Sequence, residues 1–338
     1  MIQTLLLVAV LLGGCLSSAA VISDPIVWKI QSNQSASSTK FKQHKHIVSE
    51  IERLSNGQLQ FQLLPVNGYV GNRQAFNSTR VGAIDAMFMS PQYWGSSDPI
   101  FTIMGDLVAA WKSPDQYRQW LGEQNGIAYL ERAYQRKGLK LIGYALIPLE
   151  SLVSTKPIRN AADFADQLMR VPPGMMSDLF RELGARPRKI TLDKVVKALQ
   201  RGQVTLADYS TLQVNYQRGL YGIAKYTNYP GFHSMPLSDF VVNEKSWQLL
   251  SPQQQQLIST VVDKWHQRLM NDLSRDVSLI LSDLKAQGVE VYTWREQDVR
   301  QVREQAVQIW EQYASRSTEA TLLIAEIKSW LKKIGNLK

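Results

Sequence analysis

Residues 26–64 contain IVWKIQ (26–31), FKQHKHIVSEIERL (41–54), Asn56-Gly57 and LQFQLL (59–64). Ile26–Gln31 reads as a short strand, and a polar stretch with Asn33, Ser35, Ser37 and Ser38 leads into a helix near Phe41–Leu54, which Asn56-Gly57 ends. Leu59–Leu64 alternates apolar and polar residues, the pattern of a second strand. Turn-rich Pro65–Gly71 precedes a helical stretch at Arg73–Val81. Strand, helix, strand, helix predicts an α/β lobe. Outward from there, Ala83–Met89 is a buried-strand candidate, and Ser90-Pro91 opens an aromatic loop with Tyr93, Trp94 and Phe101. A helix from Pro114 to Lys137 then leads to a strand at Leu139–Tyr144.

A second round begins near Glu150, with strands at Leu152–Ser154 and Leu168–Val171, a helix cap at Asn160, a helix at Met175–Leu183 stopped by Gly184, a helix at Leu192–Arg201 and a strand at Val204–Asp208. Thr79-Arg80-Val81-Gly82-Ala83-Ile84 and Leu199-Gln200-Arg201-Gly202-Gln203-Val204 place helix end, glycine and strand in the same order. Either the lobes echo each other or these are two independent glycine C-caps. Phe240–Asn243 is strand-like, Pro252–Lys285 reads as one long helix and Gln297–Tyr313 as another. Two similar lobes joined by crossovers leave a cleft between them.

The length of 338 residues suits two lobes, and 44% apolar with 20% charged residues is a globular composition. The net charge of +9 comes from scattered basic residues, which argues against a nucleic-acid arm and for weak, salt-screened attraction of anions. Cys15 is the only cysteine, so intramolecular disulfides and cysteine-rich zinc sites are excluded. It lies behind the apolar run Leu5–Leu12, and residues 1–20 read as an export signal. Two processing readings stand: a lipobox at Leu12-Gly13-Gly14-Cys15, which would leave a lipid anchor, or ordinary cleavage after Ser18-Ala19-Ala20. No Lys or Arg precedes the run, and a buried N-terminal strand is the alternative. No second apolar run approaches the roughly 18–20 residues of a transmembrane helix.

The GxSxG, GxxxxGK[ST], GxGxxG and HExxH signatures are absent. Of four histidines, His44, His46 and His266 lie on helices, where surface or packing roles are the default. His233 sits in the rigid loop Pro230-Gly231-Phe232-His233-Ser234-Met235-Pro236, a setting rich in binding residues. Arg170 closes a buried strand, where its guanidinium needs either a carboxylate ligand or an internal acid. Asp208 ends another apolar strand, either facing the cleft or capping a helix.

Several of these segments carry a resemblance. Met169-Arg170-Val171-Pro172, Leu183-Gly184-Ala185, Ala198-Leu199-Gln200-Arg201-Gly202, Ala207-Asp208-Tyr209, Ala224-Lys225-Tyr226 and Tyr229–Pro236 follow one another in an order that resembles the solute-binding proteins of tripartite ATP-independent periplasmic (TRAP) transporters. Asn56-Gly57-Gln58-Leu59, Arg80–Asp85 and Ser90–Trp94 match in the first lobe, and the branch most similar binds 2-oxo acids and small carboxylates. The resemblance implies a two-lobe Venus-flytrap receptor with no reaction of its own, in the periplasm, passing a small carboxylate to TRAP membrane permease subunits. It implies a first lobe of residues 24–148 plus about 238–285, a second lobe of 149–237, and C-terminal helices over 286–338 that brace the lobes or pair two copies as a homodimer. It makes Arg170 the carboxylate clamp, and Asp208, Tyr209 and Glu150 the holders of a bridging Na⁺ or Ca²⁺, with no organic cofactor. Glu150, Tyr209, Ser234, Tyr93, Trp94 and His233 line the ligand pocket on the same resemblance. Thr205 departs from the family's usual Asp, whose first-lobe match is Asp85, and Tyr209 from its commoner Trp. A ligand sensor for a membrane signalling protein is the nearest alternative, and a secreted hydrolase the more distant one.

Overall fold

A computed structural model describes residues 24–338, so the export-signal reading and Cys15 lie outside the described residues. The strands are β1 (Ile26–Ser32), β2 (Leu59–Leu64), β3 (Ala86–Met89), β4 (Leu139–Leu146), β5 (Ser151–Ser154), β6 (Leu168–Arg170), β7 (Arg186–Arg188), β8 (Leu206–Ser210), β9 (Tyr226–Asn228), β10 (Leu237–Asn243) and β11 (Glu290–Tyr292). They form two sheets, ordered β2-β1-β3-β10-β4 and β11-β9-β5-β8-β6-β7. In the first, β1 runs parallel to β2 and β3, while β10 returns antiparallel between β3 and β4. In the second, β6 lies parallel to β7 and β8, and β5 is antiparallel to β8 and β9.

The glycine echo is a backbone equivalence. Gly82 (φ 78°) and Gly202 (φ 66°) both end their helices in the left-handed region that favours glycine. Behind them, Ala83 N donates to Ser78 O (2.8 Å) and Gln203 N to Ala198 O (2.9 Å), after which Asp85 N reaches Lys29 O and Thr205 N reaches Leu168 O. Each glycine thus delivers the chain to the same place in its own sheet.

Two long helices of the sequence reading are broken. Pro114–Lys137 divides into Pro114–Glu123 and Ile127–Gln135, with Asn125 at φ 53°. The turn lets Gly126 pass so close over Trp120 that a Cβ would lie 2.5 Å from the indole. Pro252–Lys285 divides into Pro252–Asp263, Trp265–Ser274 and Val277–Ala286, with Asp276 at φ 64°. The cause is that the pieces serve different cores: Ile258, Val262, Trp265 and Leu269 pack with the first sheet, Ile280 and Leu284 with the second. The sequence reading carries the first lobe to about residue 285, whereas the chain changes core at Arg275-Asp276. The reading of 286–338 as helices also omits β11, which extends the second sheet beside β9.

The last helices, Glu296–Ala314 and Thr318–Lys333, touch both lobes. Trp310 Nε1 donates to Val108 O (2.9 Å) on the first, and the Tyr313 hydroxyl donates to Asp178 Oδ2 (2.8 Å) on the second. Trp310, Tyr313, Ile324 and Trp330 are buried within the monomer, whereas Leu322 is 56% exposed.

Candidate functional site

The site is assembled where the chain crosses between lobes. Segments 147–150 and 234–236 pair at the crossing, Ile147 N donating to Pro236 O (2.8 Å) and Glu150 N to Ser234 O (3.0 Å). Gly231 is required by the approach: a Cβ there would lie 2.0 Å from Glu150 O. Just beyond, β5 and β8 slip register, Ser151 opposing Ser210 and Leu152 opposing Asp208, which leaves Tyr209 as an unpaired bulge. Bulges free a backbone carbonyl and re-aim side chains. Glu150 lies one residue before this slip and feels the Asp208 charge.

Arg170, 9% exposed, ends β6. Its Nε donates to Ile190 O (3.2 Å) and its Nη1 to Asp208 O; Nη2 makes no hydrogen bond, and no acid of the described residues forms an ion pair with it. The internal-acid reading of this arginine is therefore not what the fold uses.

Beside it, buried Asp208 accepts from His233 Nε2 at Oδ1 (3.1 Å). Burial pushes the Asp208 carboxyl up, but the His233 hydrogen bond and charge, with Arg170, outweigh it and hold the group below its ordinary value. Glu150 is driven the other way, well above the carboxylate range, by burial and by the Asp208 charge. Ser234 Oγ lies 2.7 Å from Asp106 Oδ2 and 3.1 Å from Glu150 Oε2. One hydroxyl proton cannot serve two ionised carboxylates, so this arrangement calls for a shared proton or a cation. Asp106, which also accepts from Met235 N (3.0 Å), is pushed up to about 6 by burial.

The first lobe contributes Tyr93 and Lys40. Tyr93 is 51% exposed. Yet burial raises its hydroxyl pKa, and the charges of Arg170 and Glu150 act on it. Tyr93 is thus an accessible first-lobe ring whose hydroxyl feels charges of the second lobe. Lys40 is half-buried, its pKa lowered by burial against the pull of Glu150. Trp94, read as pocket-lining, is instead buried (4% exposed) against Phe76 in the first-lobe core. The Tyr209 side chain packs on the second-lobe core, leaving its backbone at the bulge. Sequence reasoning missed Asp106 and Lys40. Asp106 carries no local signal; Lys40 does, being a cation in the first turn of helix Thr39–Leu54, where the helix dipole disfavours positive charge.

The set is clamp-like rather than catalytic: Ser234 faces carboxylates rather than an imidazole, and His233 Nε2 is engaged by Asp208. Residues 30–317 match the family model for bacterial extracellular solute-binding protein, family 7 (DctP). The chain belongs to this family. Members are periplasmic solute-binding proteins of TRAP transporters, not enzymes, and among the described residues no helix is long and apolar enough to cross a membrane. The chain is similar to the monocarboxylate 2-oxoacid-binding periplasmic protein of Nostoc sp., 19% identical over 91% of this chain and 84% of the relative. It also resembles an apo, open TRAP solute-binding protein from Rhodobacter sphaeroides (TM-score 0.79, 27% identity, 92% of this chain and 99% of the other). A third likeness is to the Pseudoalteromonas atlantica TRAP protein with bound sodium and pyruvate (TM-score 0.79, 17% identity, 92% and 95% covered), whose DctP-family fold this chain shares.

Proposed function

We propose that this TRAP receptor captures a small 2-oxo or 2-hydroxy monocarboxylate between its lobes, 24–148 with the returning β10 on one side and 149–237 on the other, and hands it to the membrane permease. Arg170 carries the reading. It is a nearly buried guanidinium bonded only to the carbonyls of Ile190 and Asp208, beside a cleft reached by Tyr93. Such a charge selects a carboxylate and rejects neutral analogues, which would leave its free N–H groups uncompensated. Ser234, Tyr93 and His233 complete the pocket, His233 by holding Asp208. Closure follows because a ligand touching both lobes favours the closed population through that difference alone.

A cation fits beside the clamp. Glu150 and Asp208 crowd together, Tyr209 presents its backbone at a bulge, and these all-oxygen donors suit Na⁺ or Ca²⁺. Among the described residues no group of three or more His, Cys, Asp or Glu could hold a metal, so backbone and ligand oxygens would complete the shell. The ion would supply an attachment point for the 2-oxo or 2-hydroxy oxygen. The Nostoc relative named for 2-oxoacids and the structure holding sodium and pyruvate support the same class.

Calorimetry with pyruvate, lactate and their amides tests the reading. Acids are expected to bind and amides not, and Arg170→Ala is expected to abolish binding with the fold intact; unchanged affinity rejects the clamp. Removing sodium and chelating calcium is expected to weaken binding, and indifference to both removes Asp208 and Glu150 from the cation role.

A further inference from the structure

Strand β7 is the outer strand of the second sheet, and Arg188 stands in parallel register with Arg170. Neighbouring strands lie about 4.8 Å apart. Arg170 also reaches Ile190 O, so Arg188 and Lys189 run alongside the clamp. Both are exposed. Arg186 is neutralised by Asp166 (2.6 Å), but Arg188 bonds only to Pro187 O, and neither it nor Lys189 forms an ion pair among the described residues. Residues 186–201 hold six basic side chains against one acid, Asp193. Lys194, Lys197 and Arg201 continue the exposed charge beyond the strand. Blunting a sheet edge accounts for charges on β7 itself, not for those on the loop and helix that follow.

The cleft floor offers little long-range attraction, because Arg170 and Lys40 stand against Asp208 and Asp106. Exposed, unpaired charges within a Debye length of about 8 Å then set the sign that an approaching anion feels. The geometry points to Arg188 and Lys189 as an electrostatic rim that steers anionic ligands to Arg170 and sets the association rate rather than the lifetime of the complex. This rests on the carboxylate reading above.

Stopped-flow tryptophan fluorescence on the mature chain tests it, with pyruvate and lactate as probes and choline chloride varying ionic strength over constant sodium and calcium. Arg188→Gln/Lys189→Gln is expected to slow association about five-fold at low ionic strength, with the Glu pair slower still, and all to converge with wild type at high ionic strength. Dissociation is expected to stay unchanged. The charge-matched control Lys285→Gln/Lys332→Gln, on other helices, is expected to leave association within about two-fold. Association indifferent to Arg188 and Lys189, a control that slows it equally, or a change confined to dissociation overturns the rim and leaves the clamp standing. Wild-type protein that binds neither acid overturns the ligand reading and the rim with it.

Discussion

Two buried arginines make nearly the same bonds, yet only one is proposed to meet a ligand. Arg170, at the cleft, donates to the carbonyls of Ile190 and Asp208. Arg303, on the C-terminal helix and 0% exposed, donates to Ala109 O (2.7 Å) and Asn336 O (3.2 Å). Neither has an ion-pair partner among the described residues, and in both Nη2 makes no bond. The difference is access: Arg303 Nη2 is sealed from solvent, whereas Arg170 keeps 9% of its surface exposed. A sealed cation tethers backbone; one that keeps access to solvent is the one we propose as the carboxylate clamp. The two regions are also joined, since Ala109 N donates to His233 O (2.8 Å) and His233 holds Asp208.

Exchanging the effects of these two residues would break the comparison. Arg170→Ala is expected to cost about 4 kcal/mol of carboxylate binding, roughly 1,000-fold by calorimetry, with the melting temperature little changed. Arg303→Ala is expected to do the reverse. It strands two buried carbonyls and costs about 3 kcal/mol of stability in denaturant, while the folded fraction keeps its affinity within about three-fold. A large loss of affinity at constant stability would make the brace part of the binding machinery. Gly231→Ala lies between: forcing a Cβ against Glu150 O disturbs the crossing, with about 2 kcal/mol lost in stability and a measurable loss of affinity together. Loss of only one of the two would separate crossing from site.

The last effect is a slope, and it sharpens the contrast by using a buried acid. Asp239, 0% exposed, accepts from the Tyr134 hydroxyl, and burial raises its carboxyl from 3.8 to about 7. The native state therefore keeps a proton that the unfolded chain releases between about pH 4 and 7. Stability is expected to fall as pH rises through that window, by at most about 1.4 kcal/mol per pH unit from this group. Asp239→Asn is expected to flatten that part of the profile in urea melts taken across the window, and an unchanged slope would assign it to other carboxyls.

Much of the first lobe was legible because local pattern and tertiary need agree there. The Leu59–Leu64 strand, the Asn160 cap and both glycine stops stand where the sequence places them. Arg170 was legible as a strand end, because a charge closing an apolar strand is a local contradiction, whereas Asp208, read as ending its strand, stands in the middle of β8, which runs on to Ser210. Trp94 misled, since an aromatic loop residue looks the same whether it lines a pocket or fills a core. Asp106 and Arg303 were invisible for the opposite reason: their hydrogen-bond partners are 33 or more residues away, and no spacing marks them.

The amino-acid order by itself determined the α/β alternation, the glycine stops and the presence of a charge at the end of β6, because hydrophobic period and backbone preference act over a few residues. The folded chain alone decided which buried arginine is sealed and which keeps some exposure, where the helix after Pro252 breaks to change cores, and how β5 and β8 slip register at Tyr209. Those outcomes depend on desolvation and register between distant segments, and neither quantity exists until the two lobes have packed.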